Sequence, residues 1–203
     1  MKITDIKVQS HNKERASVFV DDEYSFSLDL TSVLKFSLKK GKEITEDEIE
    51  RYNREGNFAK IRDKAMDILS KKAVTKKMLL ETLIKKEYDK NLSKEVVDEL
   101  IKIGCIDDLE FAKNYARDAF EYKKHGKMRI TTDLLKKGVE KSDIDEAFLS
   151  LSFSYDDNIL DIINTKFKNA DFKDIKTKNK IIRYLAYRGY NISDIMSCLG
   201  KME

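Results

Sequence analysis

From Phe58 to Leu199 apolar residues recur every three or four positions, and the whole chain of 203 residues contains no proline. Proline is the main residue that stops a helix from inside. Without it, only caps, glycines and polar breaks divide the pattern. The stripes are Ile61, Ala65, Ile68 and Leu69, then Leu79, Leu80, Leu83 and Ile84, then Val96, Val97, Leu100 and Ile101. They continue through Phe111, Ala112, Tyr115 and Ala119 to Ile195, Cys198 and Leu199. Spacing of this kind gives each segment one apolar face and predicts a mainly α fold.

The clearest punctuation lies at Gly104–Ala116. Gly104 suits the left-handed position after a helix. Asp107 reads as the N-cap of the next helix, with Glu110 three residues on as its capping-box partner. Thr75 and Ser93 read as caps of two earlier helices. A metal site at Asp107 and Asp108 is the sharper alternative, but no histidine or third carboxylate clusters with them.

Residues 1–30 have a different period. Ala16, Val18 and Val20, then Tyr24, Phe26 and Leu28, alternate with other residues around the break Asp21-Asp22-Glu23. Period-two alternation with polar breaks predicts a small three-stranded antiparallel module, one face packed on a helix. Leu30 to Phe36 reads as a short helix, and Thr45-Glu46-Asp47-Glu48 opens another. Arg54-Glu55-Gly56-Asn57 reads as a break.

Beyond it the order of break, apolar doublet and glycine recurs. The doublets align as Leu79-Leu80-x-x-Leu83, Leu134-Leu135-x-x-Gly138 and Ile181-Ile182-x-x-Leu185. This predicts tandem three-helix repeats in an elongated, curved array. The expected divisions are a β-rich module over 1–56 and repeats over 57–106, 107–153 and 154–203. One large helical bundle is the alternative.

No catalytic constellation is visible. His11 and His125 lie in polar stretches without sequence partners, and there is no phosphate loop or nucleophile elbow. Asp21-Asp22, Asp107-Asp108 and Asp156-Asp157 sit at turns or helix starts, where acidic groups complement the helix dipole. No metal or cofactor is expected. Cys105 and Cys198 fall in apolar helical patterns and read as buried free thiols of a reducing compartment. No apolar run reaches membrane-spanning length and no signal peptide is evident, so a cytoplasmic monomer away from membranes is expected.

Forty basic and 37 acidic side chains nearly cancel, at +3, so a basic surface must come from uneven distribution. Basic residues gather at the turn into each second helix. They are Lys71, Lys72, Lys76 and Lys77, then Lys123, Lys124, Lys127 and Arg129, then Lys176, Lys178, Lys180 and Arg183, with Arg188 beyond. Stacked repeats would align these into a stripe that tracks phosphates or docks an acidic surface. A solvated face is the alternative reading. Tyr122, Tyr187 and Tyr190 neighbour the basic groups, where an exposed ring could stack on a base, although core packing or helix capping is the expected role.

Asp107-Asp108-x-x-Phe111-Ala112-x-x-Tyr115 and the closing Lys180-x-x-Arg183-Tyr184-Leu185-Ala186-Tyr187-Arg188-Gly189-Tyr190 resemble the motifs of the RecX family of recombinase regulators, of low-GC Gram-positive type. The resemblance covers roughly residues 58–200 in repeat layout. Tyr190 departs from the phenylalanine usual after the last glycine. The resemblance implies a non-enzymatic regulator, most simply a negative one, that lies in the groove of the RecA filament on single-stranded DNA. It would limit filament growth, strand exchange and ATP hydrolysis, in homologous recombination, DNA repair and the SOS response. The rival is a helical-repeat module that binds single- or double-stranded DNA directly through the basic stripe.

Overall fold

The alternating N-terminal segment folds as three antiparallel strands in the order β1-β2-β3. β1 is Ile3–Val8, β2 Arg15–Val20 and β3 Glu23–Asp29. Ala16, Val18 and Val20 turn to the buried face and meet Phe26 and Leu28. Asp21 and Asp22 take φ of 50° and 70°. Two successive positive φ angles give a hairpin turn whose twist matches that of the strands, and aspartate tolerates them better than most residues. The computed structural model describes residues 1–202.

Helix α1 (Leu30–Lys35) starts at Asp29, whose carboxylate accepts from the Ser32 amide at 2.8 Å. Helix α2 (Glu46–Leu69) opens on the full capping box expected at Thr45 and Glu48. It then runs unbroken through Gly56, correcting the break read at Arg54–Asn57. The glycine is needed for contact instead. A Cβ there would sit 2.0 Å from the Ser27 carbonyl oxygen, so its absence lets α2 lie directly on β3. Tyr52 of α2 reaches into the sheet core, 5.6 Å from the Phe26 ring and 4.7 Å from that of Phe36. A fully buried aromatic such as Phe26 contributes about 2–3 kcal/mol by transfer from water.

Eight further helices follow: α3 (Lys76–Lys85), α4 (Lys90–Lys102), α5 (Asp108–Glu121), α6 (Lys127–Lys136), α7 (Lys141–Leu149), α8 (Tyr155–Lys166), α9 (Ile175–Tyr187) and α10 (Ile192–Gly200). Two units result. One comprises Met1–Ala73 and Leu79–Cys105, the other Val74–Met78 and the chain from Ile106 onward. In the first, α4 lies along α2, joined by Arg54–Glu95 at 2.6 Å and Arg62–Glu99 at 3.4 Å. These exposed pairs set register more than they stabilise. The cap of α4 is Asp89, which accepts from the Leu92 amide at 2.8 Å, and not Ser93, which is buried within the helix.

The second unit holds two helix triplets with separate cores. In α5–α7, Ala112, Ala116 and Ala119 let Ile130, Leu134 and Ile144 close in on α5. In α8–α10, Ile159, Ile163, Ile181, Leu185, Ile195 and Leu199 fill the centre. Cys198 belongs to this core, whereas Cys105 is exposed, contrary to the expectation that both thiols are buried.

The repeat is most visible in backbone geometry. Glu87, Gly138 and Gly189 all have positive φ and stand 51 residues apart, from 87 to 138 and from 138 to 189. Each follows the second helix of a triplet and closes the same pair of bonds. The amides of Glu87, Gly138 and Gly189 donate to Ile84, Leu135 and Ala186. Those of Tyr88, Val139 and Tyr190 donate to Leu83, Leu134 and Leu185. This is the two-bond helix ending that uses up otherwise orphaned carbonyls. The caps Asp89, Glu140 and Asn191 of the third helices keep the same spacing. The period also corrects the middle doublet. Leu83, Leu134 and Leu185 are equivalent and all buried, as are Leu79, Ile130 and Ile181, so the middle doublet is Ile130-Thr131, one turn before Leu134-Leu135.

Candidate partner-binding face

The basic residues of the second unit are arranged around two helix junctions. The first turn of a helix leaves amides without internal partners and carries a partial positive charge, while the last turn has the converse. Here one end meets the other. The Gly126 amide donates to the Arg188 carbonyl at 2.8 Å, and that of Met128 to the Gly189 carbonyl at 3.1 Å, setting the start of α6 on the end of α9. Two glycines make the approach possible. A Cβ at Gly126 would lie 2.3 Å from the Gly189 carbonyl, and one at Gly189 would lie 2.3 Å from the Arg129 nitrogen. One period earlier the start of α3 meets the end of α6. There the Thr75 hydroxyl donates to the Lys137 carbonyl at 2.6 Å and Lys77 Nζ to that of Lys136 at 3.3 Å.

The two aspartates of the 107–108 pair serve different helices. Asp107 caps α5 through the Glu110 amide at 2.9 Å. Glu110 turns to Asn114 at 3.1 Å in place of completing a capping box. Asp108 accepts from the Lys76 amide at 2.9 Å and so caps α3 from another repeat. Burial pushes the Asp108 carboxyl above its ordinary value, partly offset by the Lys76 amide and charge. Sequence reading assigned both carboxylates to one helix start, because nothing in the local pattern shows that a carboxylate reaches across 32 residues.

The loop 122–126 before α6 is held by residues that looked like free ligands. Arg188 donates Nε to the Lys124 carbonyl at 3.3 Å and Nη1 to the Tyr184 hydroxyl at 2.9 Å, and Nη2 also bonds the Lys123 carbonyl. The Tyr190 hydroxyl donates to the Lys124 carbonyl at 2.9 Å, and Tyr190 is buried, as core packing requires. His125, though it lies in a polar stretch of the sequence, is partly buried, and burial followed by the Arg188 and Arg129 charges lowers its pKa.

The remaining cations divide by what their ends meet. Lys76 pairs with Glu140 at 2.5 Å and Lys124 with Asp161 at 3.8 Å. Lys123 and Lys127 lie over the Tyr115 and Phe148 rings at 5.6 and 5.1 Å. Arg129 pairs with Asp133 at 3.4 Å and lies 5.7 Å from the Tyr187 ring. The Tyr115 hydroxyl bonds the same Asp133 at 3.2 Å, a polar link that sequence reading missed because Asp133 carries no spacing signal. Lys180 and Arg183 are exposed on α9, with Arg183 Nε bonded to the Asn179 carbonyl at 3.2 Å. Tyr187, one turn beyond, is 76% exposed, so α9 presents two cations and a ring along one outer face beside Arg129. Tyr122 is also exposed, at 79%. In the first unit, Lys71 pairs with Asp67 at 2.5 Å, and Lys72 is exposed. Among the described residues no group of three or more His, Cys, Asp or Glu is placed to hold a metal, and no helix is long and apolar enough to cross a membrane.

Family models for the regulatory protein RecX match three parts of the chain. They are its N-terminal domain over residues 1–45, its second three-helix domain over 107–147 and its third over 154–199. The chain is 33% identical over 194 residues to a regulatory protein RecX of Clostridium beijerinckii, covering 94% of this chain and 90% of that relative. With its Clostridium tetani counterpart it shares 31% identity over 206 residues, covering 99% and 94%. A crystal structure of a regulatory protein RecX superposes with a TM-score of 0.76 at 23% identity, covering 97% of this chain and 98% of that one. Sequence motifs, matched domains and full-length similarity agree, and the chain belongs to the RecX family of regulatory proteins.

Proposed function

We propose that this protein regulates the RecA recombinase by binding the RecA filament on single-stranded DNA, lying in its groove and limiting filament growth, strand exchange and ATP hydrolysis. Membership of the RecX family carries the reading. The site supports it in two ways. The 107–108 aspartates serve as helix caps, so that motif is accounted for by structure without catalytic chemistry. The outer face of α9, with Lys180, Arg183 and Tyr187 beside Arg129, offers charge and a flat ring to an acidic or nucleic-acid surface. Repeated units make many weak contacts at once, and contacts along one line add as avidity.

Single-stranded-DNA-dependent ATP hydrolysis by the cognate RecA tests this. Substoichiometric wild-type protein is expected to suppress hydrolysis, and Lys180→Glu with Arg183→Glu to relieve the suppression. Absence of suppression by the wild type across a range of salt would sink the regulatory reading. Suppression by both proteins would keep the regulator and remove α9 as its face.

The exposed rings of Tyr122 and Tyr187 beside cations favour a second reading, direct binding of single-stranded DNA by stacking and phosphate contact. Affinity for an oligonucleotide without RecA that falls steeply with salt is its signature.

A further inference from the structure

Arg15, the first residue of β2, is only 6% exposed. A buried guanidinium is normally matched by a carboxylate, because an unpaired charge is costly to remove from water. This one has only neutral acceptors. Nη2 donates to the Ser27 carbonyl at 3.2 Å, the Ser27 hydroxyl at 3.3 Å and the Gly56 carbonyl at 2.9 Å. Nη1 is buried with no partner among the described residues. Asp29, opposite Arg15 on β3, directs both carboxylate oxygens to the amide and hydroxyl of Ser32.

Arg15 also lines an open cavity of about 500 Å³ in the first unit, shared with Lys60, Lys64, Asp63 and Asp67. Asp67 is already engaged by Lys64 at 2.6 Å and by Lys71 at 2.5 Å. Cations therefore outnumber carboxylates at this wall. Tyr24 and Tyr88 line the same space, and a second cavity of about 220 Å³, lined also by Glu87 and Asp89, shares Lys60 and Tyr88 with it. The volume is in the range of small-ligand sites, but the lining is polar and charged.

We propose that this cavity binds a phosphate group between Arg15 and Lys60, with Lys64 shared between the phosphate and Asp67. The unpartnered Nη1 of Arg15 and the ammonium of Lys60 give two oxygens of a phosphate separate charged donors. The phosphate belongs either to a free nucleotide or to the backbone of a single strand. The cavity lies in the first unit, whereas the α6–α9 junction lies in the second.

The test is titration of the full chain with inorganic phosphate, followed by the NMR resonance of Arg15 Nε, against chloride at equal ionic strength. Phosphate is expected to move that resonance saturably. Lys60→Glu, a change at an exposed position, is expected to weaken binding about tenfold, the loss of one charge-assisted contact. An unmoved resonance, or equal affinity of wild type and Lys60→Glu, overturns the proposal even if Arg15→Lys fails to fold. A nucleoside monophosphate and a short oligonucleotide then separate the sources. Tighter binding of the oligonucleotide, lost in Lys60→Glu, assigns a strand backbone. Equal or tighter binding of the monophosphate assigns a free nucleotide.

Discussion

Replacing Gly189 by alanine isolates the energy of the junction between α6 and α9. Two costs add. The residue holds φ of 91°, where a Cβ costs about 1 kcal/mol. The new carbon would also lie 2.3 Å from the Arg129 nitrogen, 2.5 Å from its Cβ and 2.9 Å from its Cα. Ordinary contact begins near 3.4 Å, so the helix ends must part by about 1 Å. The amide bonds from Gly126 at 2.8 Å and Met128 at 3.1 Å would then stretch beyond bonding range. Each is worth about 1 kcal/mol, and more if its amide stays buried and unpaired. The expected loss is about 3–5 kcal/mol. Gly104→Ala is the control, with φ of 75° but nothing within 4 Å of the added carbon, and its expected loss is about 1 kcal/mol. Urea unfolding followed by circular dichroism gives both values, and hydrogen exchange at the Met128 amide reports the junction directly. A loss for Gly189→Ala no larger than for Gly104→Ala, or unchanged protection at Met128, would refute the reasoning.

Asp108→Ala is expected to destabilise by about 1 kcal/mol through loss of the acceptor for the Lys76 amide, beside the Thr75 cap that remains on Met78, whereas Asp108→Asn, which keeps an acceptor, stays within about 0.5 kcal/mol in the same urea assay. The Asp67 carboxyl is held at about 2, below its ordinary 3.8, by hydrogen bonds from Lys64 and then Lys71. A depressed carboxyl stabilises the folded state above pH 3.8, and that contribution fades as pH falls from 3.8 towards 2. Lys71→Ala is therefore expected to raise the Asp67 titration midpoint, read by carboxyl-carbon NMR, and an unchanged midpoint would remove Lys71 from the account.

Much of this molecule is legible in local sequence, because its signals are local. The Thr45–Glu48 capping box, the Asp107 cap and the alternation of Val18, Val20, Phe26 and Leu28 each act within a few residues. What the sequence hides depends on distant neighbours. Gly56 looks like a breaker until Ser27 is seen against it, and Ser93 looks like a cap until Asp89 is seen to fill that role. The middle doublet is hidden because Leu134 and Leu135 resemble Leu79 and Leu80, while the equivalent pair is Ile130 and Thr131. Arg188 reads as a surface cation, yet its side chain is occupied by two carbonyls and a hydroxyl of its own chain. Basic charge is easy to count along a sequence, but whether a cation is available is decided by its partners.

Helix α6 carries a donor end and an acceptor end: its start docks on α9, and its own end receives α3. It behaves like a bifunctional monomer in a linear polymer. Helix α9 differs, because the Asp174 carboxylate closes its first turn by accepting from the Lys176 and Thr177 amides at 3.2 and 3.0 Å. A first turn closed by its own carboxylate leaves two fewer amides for a neighbour's carbonyls. Duplication of the middle segment would reproduce both ends and extend the series by whole copies. Duplication of the segment that begins with Asp174 would instead add a copy whose first turn is already closed by its own carboxylate.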